Sequence, residues 1–211
     1  MVYPNLRFPK RTNRPFFYTN FVSTVDGKVQ VLKNARDYWP IGSKADYQLL
    51  LELRAHADCL IHGKNLAQQF GETTLKSLEN SAFKKMRKQL GKQPALPYYI
   101  ISHRPAALAD LEPRTTIVSS DLAILAKKLH KAGFRNVLVE GGPHLLTSFL
   151  KINLIDEIFL TITPRIFGNA LGSALTLVEG YLFPKNAIIN LSLLSVKKLE
   201  SEIYLRYQVL G

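Results

Sequence analysis

Glu140-Gly141-Gly142-Pro143 follows the apolar run Val137, Leu138, Val139 and leads into Leu145, Leu146, Phe149 and Leu150, before a second apolar run from Ile158 to Ile162. This order predicts strand, glycine turn, helix, strand. Glycine permits close approach of the backbone and proline suits the first helical turn, so the amides after Gly142 can face an anion. A helix start reached this way is a ready phosphate site. An ordinary tight strand-to-helix turn has the same composition. The ligand reading gains from Glu140, an acid at the C-terminal end of a strand, where open α/β sheets gather their ligands.

Other residues of chemical interest stand at similar points. Asp26-Gly27 closes the aromatic and β-branched stretch Pro15 to Gly27, and Asp26 serves either the turn itself or a ligand beyond it. Arg54 lies near the end of a helix predicted over Ser43 to Ala57, where a cation suits the helix dipole and could equally bind an anionic ligand. Gly63-Lys64 place a second glycine and a cation after the short strand Asp58 to His62. Ser102-His103-Arg104-Pro105 follows the strand Leu96 to Ile101, and Arg104 offers the charge-assisted bonds that a ribose 2′-phosphate needs, or is merely part of a surface loop. Trp39, the single tryptophan, sits in the irregular stretch Gln30 to Ile41 and either covers a small core or flanks a bound ring.

The elements that must hold these residues alternate. The stripe Ala45, Leu49, Leu53, Ala57 gives the first helix its buried face, and Ser43 with Asp46 resembles a capping box. Thr115 to Val118 is a short strand, and Ser119 to Ala132 is the clearest helix, with Leu122, Leu125, Ala126 and Leu129 as its stripe and Gly133 to end it. Such alternation implies a largely parallel sheet with helices on its faces. Ile188 to Val196 and Ile203 to Val209, joined across Lys197 to Glu202, read as an antiparallel hairpin on one sheet edge. Pro164 to Pro184, with Gly168, Gly172 and Gly180, reads as a long loop.

The 211 residues suit one α/β domain, with residues 1–14 as an N-terminal extension, and 46% hydrophobic content excludes a disordered chain. No apolar run approaches the roughly 18 residues of a membrane span, and the basic N-terminus lacks a secretory core, so a cytoplasmic location is expected. One cysteine, Cys59, within an apolar run, excludes an internal disulfide and reads as a buried hydrophobe. The five histidines show no metal-binding spacing, so no metal is expected. The net charge of +12 suits a phosphorylated ligand or a nucleic acid, and the run Lys84-Lys85-Met86-Arg87-Lys88 reads as the solvated face of a helix. A GxGxxG fingerprint is absent, which argues against a conventional dinucleotide fold.

Taken in order, Ser23-Thr24-Val25-Asp26-Gly27, Trp39, Leu53-Arg54-Ala55, Val139-Glu140-Gly141-Gly142-Pro143, Asp156-Glu157 and Pro164 resemble the pyrimidine reductase domain of the bifunctional riboflavin-biosynthesis deaminase-reductase. The resemblance runs from Tyr18 onward. It implies a dihydrofolate-reductase-like α/β fold with three layers, and NADPH-dependent hydride transfer to the ribosyl carbon of a phosphorylated aminopyrimidine or a related small substrate. A homodimer without a deaminase domain on this chain is also implied. Carried onto this sequence, the family's cofactor positions are Trp39, Ser102, Gly141, Gly142, Pro143, His144 and Leu145; Ser23, Gly63, Lys64 and Arg104 are further cofactor candidates on this chain. Its substrate-side positions are Asp26, Arg54 and Glu140, with Arg54 toward the substrate phosphate and Asp26 and Glu140 as catalytic candidates, the proton coming through either acid or through water. His62 to Gly71 departs from the family pattern, lacking its acidic pair and its arginine, and the Thr or Ser usual near the helix start is replaced around Gly42. A second reading, prompted by the charge and by this departure, is a catalytically inactive basic relative that binds nucleic acid or a nucleotide.

Overall fold

Aromatic and β-branched residues crowd Phe16 to Thr24, and this stretch forms the central strand β1 (Phe16–Thr24), with Phe16, Phe17, Tyr18, Thr19 and Phe21 all buried. The computed structural model describes residues 2–31, 41–102, 115–118, 121–170 and 172–211. They fall into two compact units, one of Met1–Pro4, Tyr18–Leu49 and Pro143–Gly211, the other of Asn5–Phe17 and Leu50–Gly142.

The second of these units is built on four parallel strands. β3 (Cys59–Gly63) pairs on one side with β4 (Tyr98–Ile101) and on the other with β6 (Asn136–Glu140), while β4 also pairs with β5 (Thr115–Val118). Cys59, Leu60, Ile61, Val137, Leu138 and Val139 are fully buried, as continuous apolar runs in a parallel sheet covered on both faces should be. Burial pushes the Cys59 thiol well above its ordinary range, so it is an inert core residue, as the sequence suggested.

Three whole helices and the second half of a fourth belong to the unit's described part. α2 (Lys64–Glu79) follows β3 without a break, α3 (Ser81–Gln89) follows α2, and α4 (Leu122–Lys131) stands before β6. Sequence patterning passed over α2, because its buried positions Ala67, Gly71, Thr74, Leu75 and Leu78 are mostly small or polar and give a faint stripe. By contrast the stripe of α4 is as expected, with Asp121 as N-cap accepting from the Ile124 amide at 2.8 Å. Gly133, at φ 89°, ends it in a conformation that side chains oppose.

The basic run on α3 is only partly solvated. Arg87 is 2% exposed, and its guanidinium donates to the carbonyls of Ala57 (2.7 Å), Ala55 (3.2 Å), Arg54 (3.3 Å), Gln93 (2.7 Å) and Ala95 (3.3 Å). The first three belong to or follow the end of α1 (Lys44–His56), whose terminal carbonyls have no partners inside the helix. A buried cation there satisfies them and complements the helix dipole.

The other unit is organised on β1 and β7 (Glu157–Thr163), paired in parallel from Tyr18↔Glu157 to Thr24↔Thr163. β10 (Glu202–Leu210) runs antiparallel to β7, and β9 (Asn190–Leu199) antiparallel to β10. The expected hairpin is present but its strands are longer and its turn tighter, with Glu200 at φ 53°. Lys197 and Lys198 looked like loop residues; they are strand residues on an exposed edge, where lysines discourage further pairing. Lys197 Nζ also lies 5.1 Å from the Tyr3 ring centroid and donates to the Val2 carbonyl, so the first residues of the extension are tied down. In the long loop, Gly168, Gly172 and Gly180 all have positive φ, and a two-residue strand, β8 (Ala174–Leu175), pairs with β2 (Gln30–Val31).

At the start of α1, Ser43 Oγ accepts from the Ala45 and Asp46 amides at 3.1 and 3.2 Å and donates to Glu202 at 2.6 Å. The reciprocal half of the expected capping box is replaced: Asp46 is buried, 8% exposed, with Oδ1 unpartnered.

Candidate functional site

Parallel pairing brings the candidate residues together at one edge. His62 stands opposite Glu140 and Gly63 opposite Ile101, so Gly63-Lys64, Gly141-Gly142 and Ser102 each come at or just past the C-terminal ends of three neighbouring strands, β3, β6 and β4. Ser102 is buried at 4% exposure. Trp39 and Arg104, also expected near a cofactor, lie outside the described residues. Ser23, Asp26, Pro143, His144 and Leu145 belong to the other unit.

Two of these turns have the properties an anion requires. Gly63 is the N-cap of α2, extended at φ −79° and ψ 159°, with no side chain capping the free amides and no acidic residue in the first turn. Orphan amides and the positive end of the helix dipole are therefore left for a ligand or solvent. Pro143 opens α5 (Pro143–Leu150), whose first turn also has no acid. A Cβ built on Gly142 would meet no heavy atom within 4 Å, so its backbone faces open space. His144 is exposed and packs its ring against Gly180, while the Thr147 hydroxyl, within 2.8 Å of the carbonyls of Pro143 and Glu179, accepts from the Glu179 amide.

Glu140 and Arg54 hold each other. Arg54 Nε donates to Oε1 at 2.7 Å and Nη2 to Oε2 at 2.6 Å, a two-pronged pair, and Nη1 donates to the Ser77 hydroxyl at 2.9 Å. Exposure is 5% for Arg54 and 6% for Glu140. Burial by itself would raise the Glu140 pKa; the charge and hydrogen bonds of Arg54, with a bond from His62, outweigh it and hold the carboxyl below its usual range. Arg54 thus has all three nitrogens engaged inside the protein, where the resemblance had implied a grip on a substrate phosphate.

Asp26 is likewise occupied. Its carboxylate accepts from the Thr24 hydroxyl (2.5 Å) and from the amides of Gly168 (2.8 Å) and Phe167 (3.2 Å), so it pins the long loop to the turn after β1. These bonds, that from Thr24 foremost, lower its pKa. Both carboxylates expected as catalytic are therefore ionised at neutral pH, and neither carries a proton to donate. Ser23 is buried, its hydroxyl donating to the Thr24 carbonyl at 3.1 Å and its own carbonyl accepting from Thr163 at 3.3 Å.

Sequence reasoning missed His62 and Tyr98. His62 Nε2 lies 3.0 Å from Glu140 Oε2, and Nδ1 lies 2.7 Å from the Tyr98 hydroxyl. The signal was present, since His62 directly precedes the glycine at a strand end, but a histidine without metal spacing gives no reason to be chosen. Among the described residues no cluster of three or more His, Cys, Asp or Glu could hold a metal, and no helix is long and apolar enough to cross a membrane.

A mostly parallel sheet, helices, a C-terminal antiparallel hairpin and glycine turns at the strand ends define a dihydrofolate-reductase-like α/β protein. Dihydrofolate reductase from Enterococcus faecalis superposes with a TM-score of 0.59 at 12% identity, over 93% of this chain and 97% of that one. The RibD protein of Acinetobacter baumannii superposes with a TM-score of 0.69 at 22% identity, over 95% of this chain and 59% of that one. The chain belongs to the RibD C-terminal domain family, whose model matches residues 15–205. The 2,5-diamino-6-ribosylamino-4(3H)-pyrimidinone 5′-phosphate reductase of Methanothermobacter thermautotrophicus is 27% identical over 220 residues, covering 94% of this chain and all of that relative.

Proposed function

We propose that this chain is an NADPH-dependent reductase of riboflavin biosynthesis, reducing the ribosyl carbon of a phosphorylated aminopyrimidine. The observation that carries the reading is the row of Gly63-Lys64, Gly141-Gly142 and Ser102 along neighbouring strand ends, with an uncapped, acid-free helix start after Gly63. These residues fit a dinucleotide's pyrophosphate: backbone amides bind the phosphates, Lys64 adds a cation, and Gly142 leaves room for close approach. The family resemblance adds Trp39, Pro143, His144 and Leu145 as cofactor positions, and Ser23 and Arg104 are further candidates.

When bound, NADPH supplies the hydride, and the protein supplies position and electrostatics. Arg54 and Glu140 act as a pair that fixes the end of β6 beside the substrate, and the fixed charge of Glu140 favours a cationic, imine-like ribosyl carbon. The proton comes from water, because the ion pair of Glu140 with Arg54 and the loop bonds of Asp26 keep both acids deprotonated. The chain works as a homodimer in the cytoplasm.

Purified protein should oxidise NADPH in step with consumption of the diaminopyrimidinone phosphate named for the archaeal relative, followed by loss of near-ultraviolet absorbance. The deaminated substrate, 5-amino-6-(5-phosphoribosylamino)uracil, is the natural comparison. Absence of NADPH binding at millimolar concentration, or oxidation with neither pyrimidine, would remove the proposal.

A further inference from the structure

His62 and Tyr98 form a buried relay behind the glycine turns. His62 is 1% exposed and Tyr98 2%, their rings meet edge to face at 4.9 Å, and the Tyr98 hydroxyl lies 3.8 Å from where a Cβ on Gly71 of α2 would stand. The proton positions follow from valence. An ionised Glu140 only accepts, so His62 Nε2 carries the hydrogen and donates across 3.0 Å, and the bare Nδ1 accepts from the Tyr98 hydroxyl at 2.7 Å. Burial lowers the His62 pKa, with Glu140 opposing, which agrees with a neutral ring.

The placement of this bond is what gives it a role. His62 immediately precedes Gly63, and Glu140 immediately precedes Gly141. One hydrogen bond therefore ties together the two residues from which the two anion-facing turns spring. Arg54 anchors the carboxylate to α1 and, through Ser77, to α2; among the described residues His62 alone ties it to β3 by a side chain, and Tyr98 fixes that ring to β4. Two sets of amides that must grip one ligand need a fixed separation, and small misplacement at such a site is costly.

We propose that His62, held in its Nε2–H form by Tyr98, is a positioning residue for the dinucleotide, acting through Glu140 on the Gly141-Gly142 turn. This rests on the reading of the chain as an NADPH-dependent reductase. Three variants of the full chain test it. His62→Leu removes the donor to Glu140, His62→Gln restores an N–H at similar reach, and Tyr98→Phe releases only the ring. Calorimetric NADPH titration, steady-state kinetics and nitrogen–proton NMR of the histidine tautomer are the readouts.

His62→Leu should weaken NADPH binding by about tenfold or more, with kcat at saturating NADPH and the KM for the pyrimidine changed far less. His62→Gln should recover most of the loss, and Tyr98→Phe should shift NADPH affinity in the same direction by a smaller factor. In the wild type, the His62 proton should sit on Nε2. A proton on Nδ1, unaltered NADPH affinity in His62→Leu, or equal loss toward both ligands without rescue by glutamine each overturns the proposal. Should His62→Leu fail to fold, the tautomer, His62→Gln and Tyr98→Phe decide. Wild-type protein that binds no NADPH overturns this inference and the reductase reading together, whereas normal wild-type binding with an indifferent His62→Leu overturns this inference alone.

Discussion

Replacing Asp46 by asparagine should stabilise the protein at neutral pH, and by an amount that disappears on acidification. Asp46 stands in the first turn of α1, the helix whose last turn carries Arg54, and its Oδ1 is buried without a partner. Burial pushes its carboxyl up to about 6; the nearby Thr161 hydroxyl opposes the rise and the charge of Glu202 adds to it. A displacement of roughly two units corresponds to about 3 kcal/mol. The start of α1 favours an anion by about 0.5–1 kcal/mol and is lost with the charge, so a gain of about 2 kcal/mol is expected.

The direction follows from proton binding. Folding raises this pKa, so the folded chain holds the proton more tightly; the associated stability is complete below the unfolded value of about 3.9 and is lost as pH rises through about 6. Asparagine has no proton to lose. Urea unfolding of wild type and Asp46→Asn across this range isolates the effect, because contributions from His62 and other groups away from Asp46 cancel in the difference. Curves that stay parallel from acid to neutral pH, or an asparagine variant that loses ground as pH rises, would refute the reasoning.

Arg87→Met should cost about 3 kcal/mol, since it leaves several buried carbonyls without a donor, and denaturant midpoints will show it; a loss below about 0.5 kcal/mol would mean water reaches those carbonyls. Arg54→Met leaves Glu140 buried without its cation and should cost about 3–5 kcal/mol at neutral pH. That cost should shrink as pH falls through the carboxylate range, because pairing holds the Glu140 pKa down and its contribution exists only above that range; a pH-independent cost would contradict the pairing. Gly142→Ala should unfold at an unchanged denaturant midpoint, because its methyl meets no protein atom within 4 Å, yet should raise the KM for NADPH by about tenfold. Unchanged KM would take the phosphate away from that turn.

The periodicities of β1, β3, β6, α4 and α5 were legible because each buries a run or stripe of large apolar residues, and burial of that kind writes itself into the order of residue types. The glycine turns were legible for a related reason: backbone that must stay open to a ligand cannot bear side chains. α2 was not legible, because small and polar residues face the core there. Charge misled in the same way, for Arg87 sits in the middle of a lysine run and only the nearby end of α1, with its unsatisfied carbonyls, turns it inward. Arg54, Glu140, His62 and Tyr98 lie 86, 78 and 36 residues apart along their successive contacts, so no local pattern could join them. Sequence alone set which strand ends carry glycine, cation and acid; parallel pairing of β3, β4 and β6 set which of them meet, their ion pair then decided that the acid is ionised and the arginine occupied, and burial decided that the histidine is neutral.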